Sequence, residues 1–381
     1  SLVCSMLCKR YFLTSYTCSC IVYLELMFGW DYMNYISFNQ IVDALSTLDK
    51  PQKELLLNIL HEAIQPVQME RTIANLVELR ENRFKEGQIC IYCGSSMVRR
   101  FGKYRNRQRF HCRLCHRTFN DLTATPIHRT HHLDKWGRYL ECMIEGFSIR
   151  KCAKLLKISK DTSFTWRHKV LHALSLIPAE KLHGIIEADE TYELFSEKGS
   201  RQLNRKKRKR GGVASKRGIS NEQVCILVAR DRTKNTSSQV AGLGRIDSQT
   251  LQLRIGSRIV PGSILCTDEE PTFRAFCRKA KLTQVMINSQ DKNRVIDGIY
   301  HIQNVNAFHS RYKLWEARFK GIATKYTDNY LAWFNFLDKT ANIDERQRIK
   351  KLLFDSTSHT MKICGINVSK YYQSRLQKLC G

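Results

Sequence analysis

Two short motifs constrain this chain more than any other stretch: Cys90-Ile-Tyr-Cys93 and Cys112-Arg-Leu-Cys115. Each Cys-x-x-Cys turn aims two thiolates at one point, and two such turns complete a tetrahedron of sulfur around one ion. The pairs stand 19 positions apart, from Cys93 to Cys112. Four thiolates leave no open position for water, so the expected ion is structural Zn2+, a scaffold and not a catalyst. Between the pairs lie Arg99, Arg100, Lys103, Arg105, Arg107 and Arg109, interleaved with Phe101, Tyr104 and Phe110. Basic and aromatic side chains on a metal-pinned β-ribbon suit phosphate backbone and stacked bases. The plainer alternative is a zinc knob that only joins domains.

The rest of the chain has the same charge bias. Net charge is +28, from 63 Lys and Arg against 35 Asp and Glu. Such an excess points to a polyanionic partner, either nucleic acid or an anionic membrane. No apolar run reaches the roughly 18 residues that a membrane helix needs, so nucleic acid is favoured and no membrane partner is expected. With 381 residues, 43% of them hydrophobic, the chain can build two or three domains with real cores. Its 15 cysteines are an odd number. Beyond the four of the ribbon, Cys142, Cys152, Cys225 and Cys266 sit singly in apolar stretches. That fits reduced, buried thiols in a cytoplasmic, nucleoid-associated or nuclear protein.

Residues 1–32 mix Cys4, Cys8, Cys18 and Cys20 with Leu, Phe and Tyr and show no clear period. Lys9-Arg10 precedes an apolar stretch, but no small-residue cleavage site follows, so an extension of little consequence is expected. Residues 33–85 read as a helical lead-in, with Ile41, Val42, Leu45 and Leu48 on one face and a new helix opening at Pro51. The ribbon occupies 86–125. His128, His131 and His132 follow in a loop, placed to be solvated or to face phosphate. Residues 133–178 read as a helix-turn-helix, in which Ser159 or Asp161 caps a second helix. That helix would present Thr162, Ser163, Thr165, Arg167 and His168 to a major groove, with Trp166 and Val170 inward. A helical hairpin serving as a linker is the alternative.

From residue 183 to 340 the pattern becomes α/β. Apolar strands are expected at 185–192, 224–230, 237–243, 263–268 and 284–287, with helices at 248–255, 271–281, 305–319 and 326–339. Residues 198–218, with Lys206, Lys207 and Arg208, form a solvated basic loop ordered by DNA or read as a nuclear-import signal. Residues 341–381 read as a mixed tail. Two of the strands end in acids, at Asp189 and at Asp268. Carboxylates on neighbouring strands repel each other unless a divalent cation lies between them. A basic protein that gathers acids at two strand ends suits Mg2+ (or Mn2+) and phosphate-ester chemistry.

At this point the residues show a resemblance. The stretches IIEADETY (185–192), SILCTDEEPTF (263–273) and HIQNVNAFHSRYKLW (301–315), followed by Gly321-Ile-Ala-Thr-Lys-Tyr326 and Asn329-Tyr-Leu-Ala-Trp-Phe334, resemble the ISXO-like group of bacterial insertion-sequence transposases. The expected zinc ribbon and helix-turn-helix match that group as well, and the resemblance covers roughly residues 40–340. It implies a multidomain chain: helical lead-in, β zinc ribbon, helix-turn-helix, then an RNase H-like catalytic domain with a mixed sheet. It also implies that Asp189 and Asp268 are the first and second catalytic ligands for Mg2+. The third position falls on Asn306, and Lys313 lies seven residues further on the same helix face. Most transposases of the wider DDE class carry Glu where this chain has Asn306, although parts of the ISXO-like group are also written with Asn. A neutral amide offers one carbonyl oxygen and a weaker hold on an ion. Asn304 and His309 are lesser candidates for that role, and Lys313 would hold a DNA phosphate near the cut.

The resemblance thus implies an enzyme that binds the terminal inverted repeats of its element and target DNA, as a homo-oligomer on DNA. It would hydrolyse a phosphodiester and transfer the freed 3′ end. Two other readings use the same residues differently: a regulator or domesticated protein that binds DNA without cutting it, and a zinc-ribbon nuclease acting on RNA.

Overall fold

The structure is a computed structural model that describes residues 43–57, 59, 78–79, 83–84, 87–104, 107–200, 202–203, 207, 212–288, 294–359, 361, 371–374 and 377. The expectations for residues 1–32, for most of 58–86, and for Arg105, Lys206 and Arg208 lie outside these. The chain divides into two units, residues 1–74 and 75–381. In the first, residues 43–47 and 50–57 are helical, as the lead-in pattern implied.

The second unit opens with a three-stranded antiparallel sheet, β1 (Val98–Tyr104), β2 (Arg107–Cys112) and β3 (Thr118–Phe119). Three helices follow: α1 (Trp136–Ile144), α2 (Ile149–Leu155) and α3 (Lys160–Ser175). Ser148 and Ser159 cap α2 and α3 by accepting from the backbone N–H of Lys151 and Thr162. Each satisfies an orphan donor of the first turn. Gly146, with φ of +67°, ends α1 where a Cβ would meet Trp315 Nε1 and Arg318 Nη1 at 3.1 Å. Only glycine fits that close approach without strain.

A five-stranded mixed sheet comes next, built from β4 (Ile185–Leu194), β5 (Gln223–Asp231), β6 (Thr236–Leu243), β7 (Ile264–Thr267) and β8 (Thr283–Met286). Its order is β6-β5-β4-β7-β8, so β4 is central. The β4–β5 and β5–β6 pairs are antiparallel, and the β4–β7 and β7–β8 pairs are parallel. Helices α4 (Ser248–Arg254) and α5 (Pro271–Ala280) follow β6 and β7, and Pro271 begins α5 where a missing N–H costs nothing. Then come α6 (Gln303–Glu316), α7 (Thr327–Lys339) and α8 (Glu345–Thr357).

Because side chains alternate along a strand, the sheet serves two cores. Ile186 and Ala188 join Cys225, Leu227 and Ala229 of β5 against Leu251, Phe273 and Phe276 of α4 and α5. On the opposite face, Ile226 and Val228 of β5 join a larger core built from α1–α3 and α6–α8. Aromatic rings fill this core: Phe308, Tyr312 and Trp315 of α6 meet Tyr330, Trp333 and Phe334 of α7.

Two sequence expectations change here. The first concerns α3, whose residues Trp166 to Leu174 are all buried. Ser163 is sequestered and donates to the Ile149 carbonyl at 3.0 Å. Arg167 is fully buried, with its guanidinium 4.5 Å from the Trp333 ring centroid and 2.6 Å from the Phe147 carbonyl. His168 lies between the rings of Phe164 and Tyr326, with its pKa lowered to about 3 by burial. None of these three faces a groove: Ser163 is closed off by Ile149 of α2 and Tyr139 of α1, and Arg167 and His168 by rings at Trp333 and Tyr326. The second concerns residues 341–381. They include α8, whose Leu352 and Leu353 are buried in the larger core, and Tyr372, whose hydroxyl lies 2.5 Å from His172 Nδ1. The described part of this stretch belongs to the fold.

No helix among the described residues is long and apolar enough to cross a membrane. Leu352→Ala should lower the free energy of unfolding by about 2–5 kcal/mol, read from denaturant midpoints. Lys350→Ala, at a half-exposed neighbour, should change it by less than about 0.5 kcal/mol.

Candidate active site and cysteine cluster

One face of β4 is acidic: Glu187, Asp189 and Glu193 alternate with inward apolar residues and are joined by Thr191. A central strand rarely tolerates this, because each buried carboxylate needs a partner. Helix α6 supplies the partners. From Glu187 to Glu193 the strand rises roughly 20 Å, and from Asn304 to Glu316 the helix rises roughly 18 Å. The two elements therefore stay in step.

Glu187, 1% exposed, forms the first tie. It accepts from Asn304 Nδ2 at 2.7 Å and from the backbone N–H of Val305 at 3.0 Å. Arg232 pairs with it too, and His301 Nδ1 lies 3.3 Å away. No side chain of its own caps α6 at Ile302, so the Glu187 carboxylate does the capping from across the sheet, where the helix dipole favours a negative charge. At the far end Glu193 and Glu316 lie together, and burial followed by mutual repulsion raises the Glu193 carboxyl to about 9.

Asp189 sits between these ties. Register pairs Glu187 with Cys266 of the parallel neighbour β7; Asp189 lies two residues further along β4, and Asp268 follows β7 by one residue, near enough to act on Asp189 electrostatically. Burial, the first cause, and repulsion from Asp268 and Glu190 push the Asp189 carboxyl up to about 7, while Lys313 pulls it back. His309 Nδ1 lies 3.6 Å from Asp189 Oδ2. Burial and Lys313 lower the His309 pKa to about 4, so the imidazole is neutral. Asn306 and Lys313 are exposed on α6. Asp268 is half-buried and accepts from the Glu270 N–H at 3.2 Å. Two hard carboxylates, one of them pushed up by burial and by repulsion from its neighbour, fit Mg2+ or Mn2+ by donor chemistry.

Glu187 is the residue that sequence reading missed. Its signal was present: an acid inside an apolar run, two positions before Asp189 and so on the same face.

The four cysteines form the second site. Cys90 and Cys115 sulfurs lie 3.6 Å apart, as do those of Cys93 and Cys112. A tetrahedral Zn2+ with bonds of about 2.3 Å places its sulfurs roughly 3.8 Å apart, so the spacing fits. Among the described residues, this is the one group of three or more such side chains whose ligand atoms all lie within 4.8 Å of one another. Gly94 N–H bonds the Cys90 carbonyl and His116 N–H the Cys112 carbonyl, one matching turn per pair. The Cys115 N–H also stabilises the Cys112 thiolate and lowers its pKa to about 6.

Of the predicted basic set, Arg99, Arg100 and Lys103 are exposed along β1. Arg107 is committed internally to Asp121, with Nε 3.1 Å from Oδ1. Arg109 lies half-buried over the Phe101 ring, 5.3 Å from its centroid. Thr162 and Thr165 open onto a cleft of about 330 Å³ lined also by Arg129, His131, His132 and Lys169. Lys207 is exposed.

Residues 181–337 match the family model of the ISXO2-like transposase domain. The matched stretch takes in the five-stranded sheet and its helices up to α7. Over 287 residues it is 26% identical to an uncharacterized protein in transposable element ISH50 of Halobacterium salinarum, spanning 74% of this chain and 96% of that one. Among solved structures, the Mos1 strand transfer complex aligns at a TM-score of 0.27 with 11% identity, over 64% of this chain and 78% of that chain. The Mos1 mariner paired end complex with Mn aligns at 0.24 with 12% identity, over the same 64% and 78%. Overlaps this slight carry no weight for fold or function.

The raised Asp189 pKa has a testable sign. Relative to an unfolded carboxyl near 4, the folded state binds the extra proton. This term favours folding fully below about pH 4 and is lost as pH rises through about 7. In chelator, Asp189→Asn should therefore raise the melting temperature at pH 8, with the gain shrinking steadily toward pH 4.

Proposed function

We propose that this chain is a DNA transposase that binds the ends of its element and performs metal-dependent phosphodiester cleavage and strand transfer. The observation that carries the reading is Asp189 on the central strand β4, with Asp268 one residue past the end of the neighbouring parallel strand β7 and Asp189 pushed up to about 7 by burial and by repulsion from Asp268. The mixed sheet with β4 at its centre agrees with the RNase H-like domain that the family resemblance implies. Asp189 and Asp268 would hold Mg2+ or Mn2+, which when bound activates an attacking oxygen and stabilises the leaving one. Lys313, exposed on the same helix and felt by Asp189, is placed to hold a phosphate oxygen at the site.

The cysteine quartet would hold structural Zn2+ and so fix β1 and β2 as a ribbon whose outer strand offers Arg99, Arg100 and Lys103 to the phosphate backbone. Helices α2 and α3 would act as a helix-turn-helix whose reading edge is reduced to the start of α3, at Thr162 and Thr165. Tyr104, 57% exposed at the end of β1, offers a ring for stacking. The second reading, a DNA-binding protein without catalysis, draws on one observation: the third position of the acidic constellation is an exposed amide, Asn306.

The deciding experiment is strand cleavage of element ends with Mg2+. Asp189→Ala and Asp268→Ala should each lower the rate at least about 1000-fold, while duplex binding persists. Equal cleavage by the wild type and both variants removes the transposase assignment. Replacing Arg99, Arg100 and Lys103 together by Ala should make the slope of log affinity against log salt shallower by about 2–3 on duplex DNA. An unchanged slope would show that β1 does not touch phosphate.

A further inference from the structure

The cleft at the start of α3 has two walls. One is a single face of the helix, where Asp161, Thr162, Thr165, Trp166 and Lys169 follow the i, i+4, i+8 spacing that stacks side chains along one side. The other is the loop that leaves the ribbon, from Arg129 to His132. Trp166 and Lys169, 4% and 6% exposed, are its recessed residues. Both walls are held before any ligand arrives. Ile127 anchors the loop in the larger core, and Trp136 Nε1 donates to Thr130 Oγ1 at 3.0 Å. Lys169 Nζ ties the helix to the loop by donating to the His128 carbonyl at 3.0 Å. Such a site needs little rearrangement to bind.

We propose that this cleft holds a backbone phosphate of duplex DNA, so that α3 meets the double helix through its start and not along its length. The inference rests on the DNA-binding reading above and says which part of DNA Thr162 and Thr165 meet. Shape is the first support. A volume of about 330 Å³ lies at the lower end of small-ligand pockets, which run roughly 300–1,000 Å³. A protruding phosphodiester fits such a hollow, whereas base edges lie recessed within a groove. Burial is the second. Trp166 to Leu174 are all buried, so α3 has no long outer face to lay in the major groove. Charge is the third. Arg129 and Lys169 bring two cationic side chains against one acid, Asp161. Arg129 stands exposed, with no ion pair among the described residues. The threonine hydroxyls and the imidazoles of His131 and His132 add hydrogen-bond donors. Thr162 Oγ1 accepts from Ser159 Oγ at 2.9 Å, which leaves its own proton free to donate. Phosphate contacts fix where a protein sits and carry no sequence information, so the cleft contributes affinity and register.

The test is fluorescence anisotropy of the full chain, loaded with Zn2+, on an element-end duplex and on a scrambled duplex of equal length, across about 50–200 mM salt. Arg129→Gln, and separately His131→Ala with His132→Ala, should weaken binding by the same factor on both duplexes. Arg129→Gln should also make the slope of log affinity against log salt shallower by about 1. A single methylphosphonate, which removes one backbone charge, should at one position weaken the wild type and cost Arg129→Gln nothing more. Unchanged affinity in both variants, or an Arg129→Gln slope equal to that of the wild type, overturns the proposal alone. So does a loss confined to the element-end duplex, which would mean that the cleft reads bases. Failure of the wild type to bind either duplex overturns it together with the DNA-binding reading.

Discussion

The docking of α6 on the acidic face of β4 governs the candidate site. A central strand with carboxylates at alternate positions is costly unless each finds compensation, since an unpaired buried charge costs several kcal/mol. Glu187 finds it in a side-chain amide, a backbone N–H and the Arg232 guanidinium, with the His301 ring beside it. Hydrogen bonds to a charged group contribute about 1.5–3 kcal/mol each, enough for this contact to hold the start of α6. Asp189, two residues on, is compensated only in part, by a distant lysine and a neutral imidazole. The contrast separates the anchoring acid from the acid kept in want of a cation. Perturbed carboxyls at functional sites commonly arise in this way.

The basic residues divide by the same logic. Arg107, Arg167 and Arg230 are spent inside the fold, on Asp121, on the Trp333 ring and on Asp338. Arg167 is the extreme case: fully buried, it has the Cys152 sulfur at 3.3 Å, and contact with Cys142 and with Arg167 lowers the Cys152 pKa to about 7. Its surroundings hold rings, thiols and carbonyls, with no carboxylate bonded to it. Arg99, Arg100 and Lys103 stay outside, on β1, an edge strand of the small sheet that is exposed from Arg99 onward. Net charge therefore overstates the surface available to a polyanion, and strand position identifies the part that remains.

Much of this was legible in the sequence where the signal is local. The spacing of Cys90, Cys93, Cys112 and Cys115 sufficed for the quartet, because a tetrahedron has few chain solutions. The apolar runs leading to Asp189 and Asp268 stood out, and α6 and α7 as aromatic helices, but β4 continues beyond Asp189 to Leu194, so that aspartate lies inside the strand and not at its end. Position within a buried helix was not legible. Ser163, Arg167 and His168 look like surface residues in any periodic reading, and only tertiary contacts, with α1 and α2 for Ser163 and with Trp333 and Tyr326 for Arg167 and His168, put them inside. Likewise nothing local says that Leu352 and Tyr372 return to the core. The roles of His309 and Glu187 depend on which residue of α6 lies over which residue of β4. That register is a tertiary quantity.

The central claim is that Asp189 and Asp268 act as one site, and a double-mutant cycle on Mn2+ affinity tests it most directly. Isothermal titration of the wild type, Asp189→Asn, Asp268→Asn and the double variant gives the coupling between them. The account predicts that each single change removes most of the affinity and that the second adds little more. Strictly additive losses, or a single variant that binds as the wild type does, would mean that the two carboxylates do not share an ion.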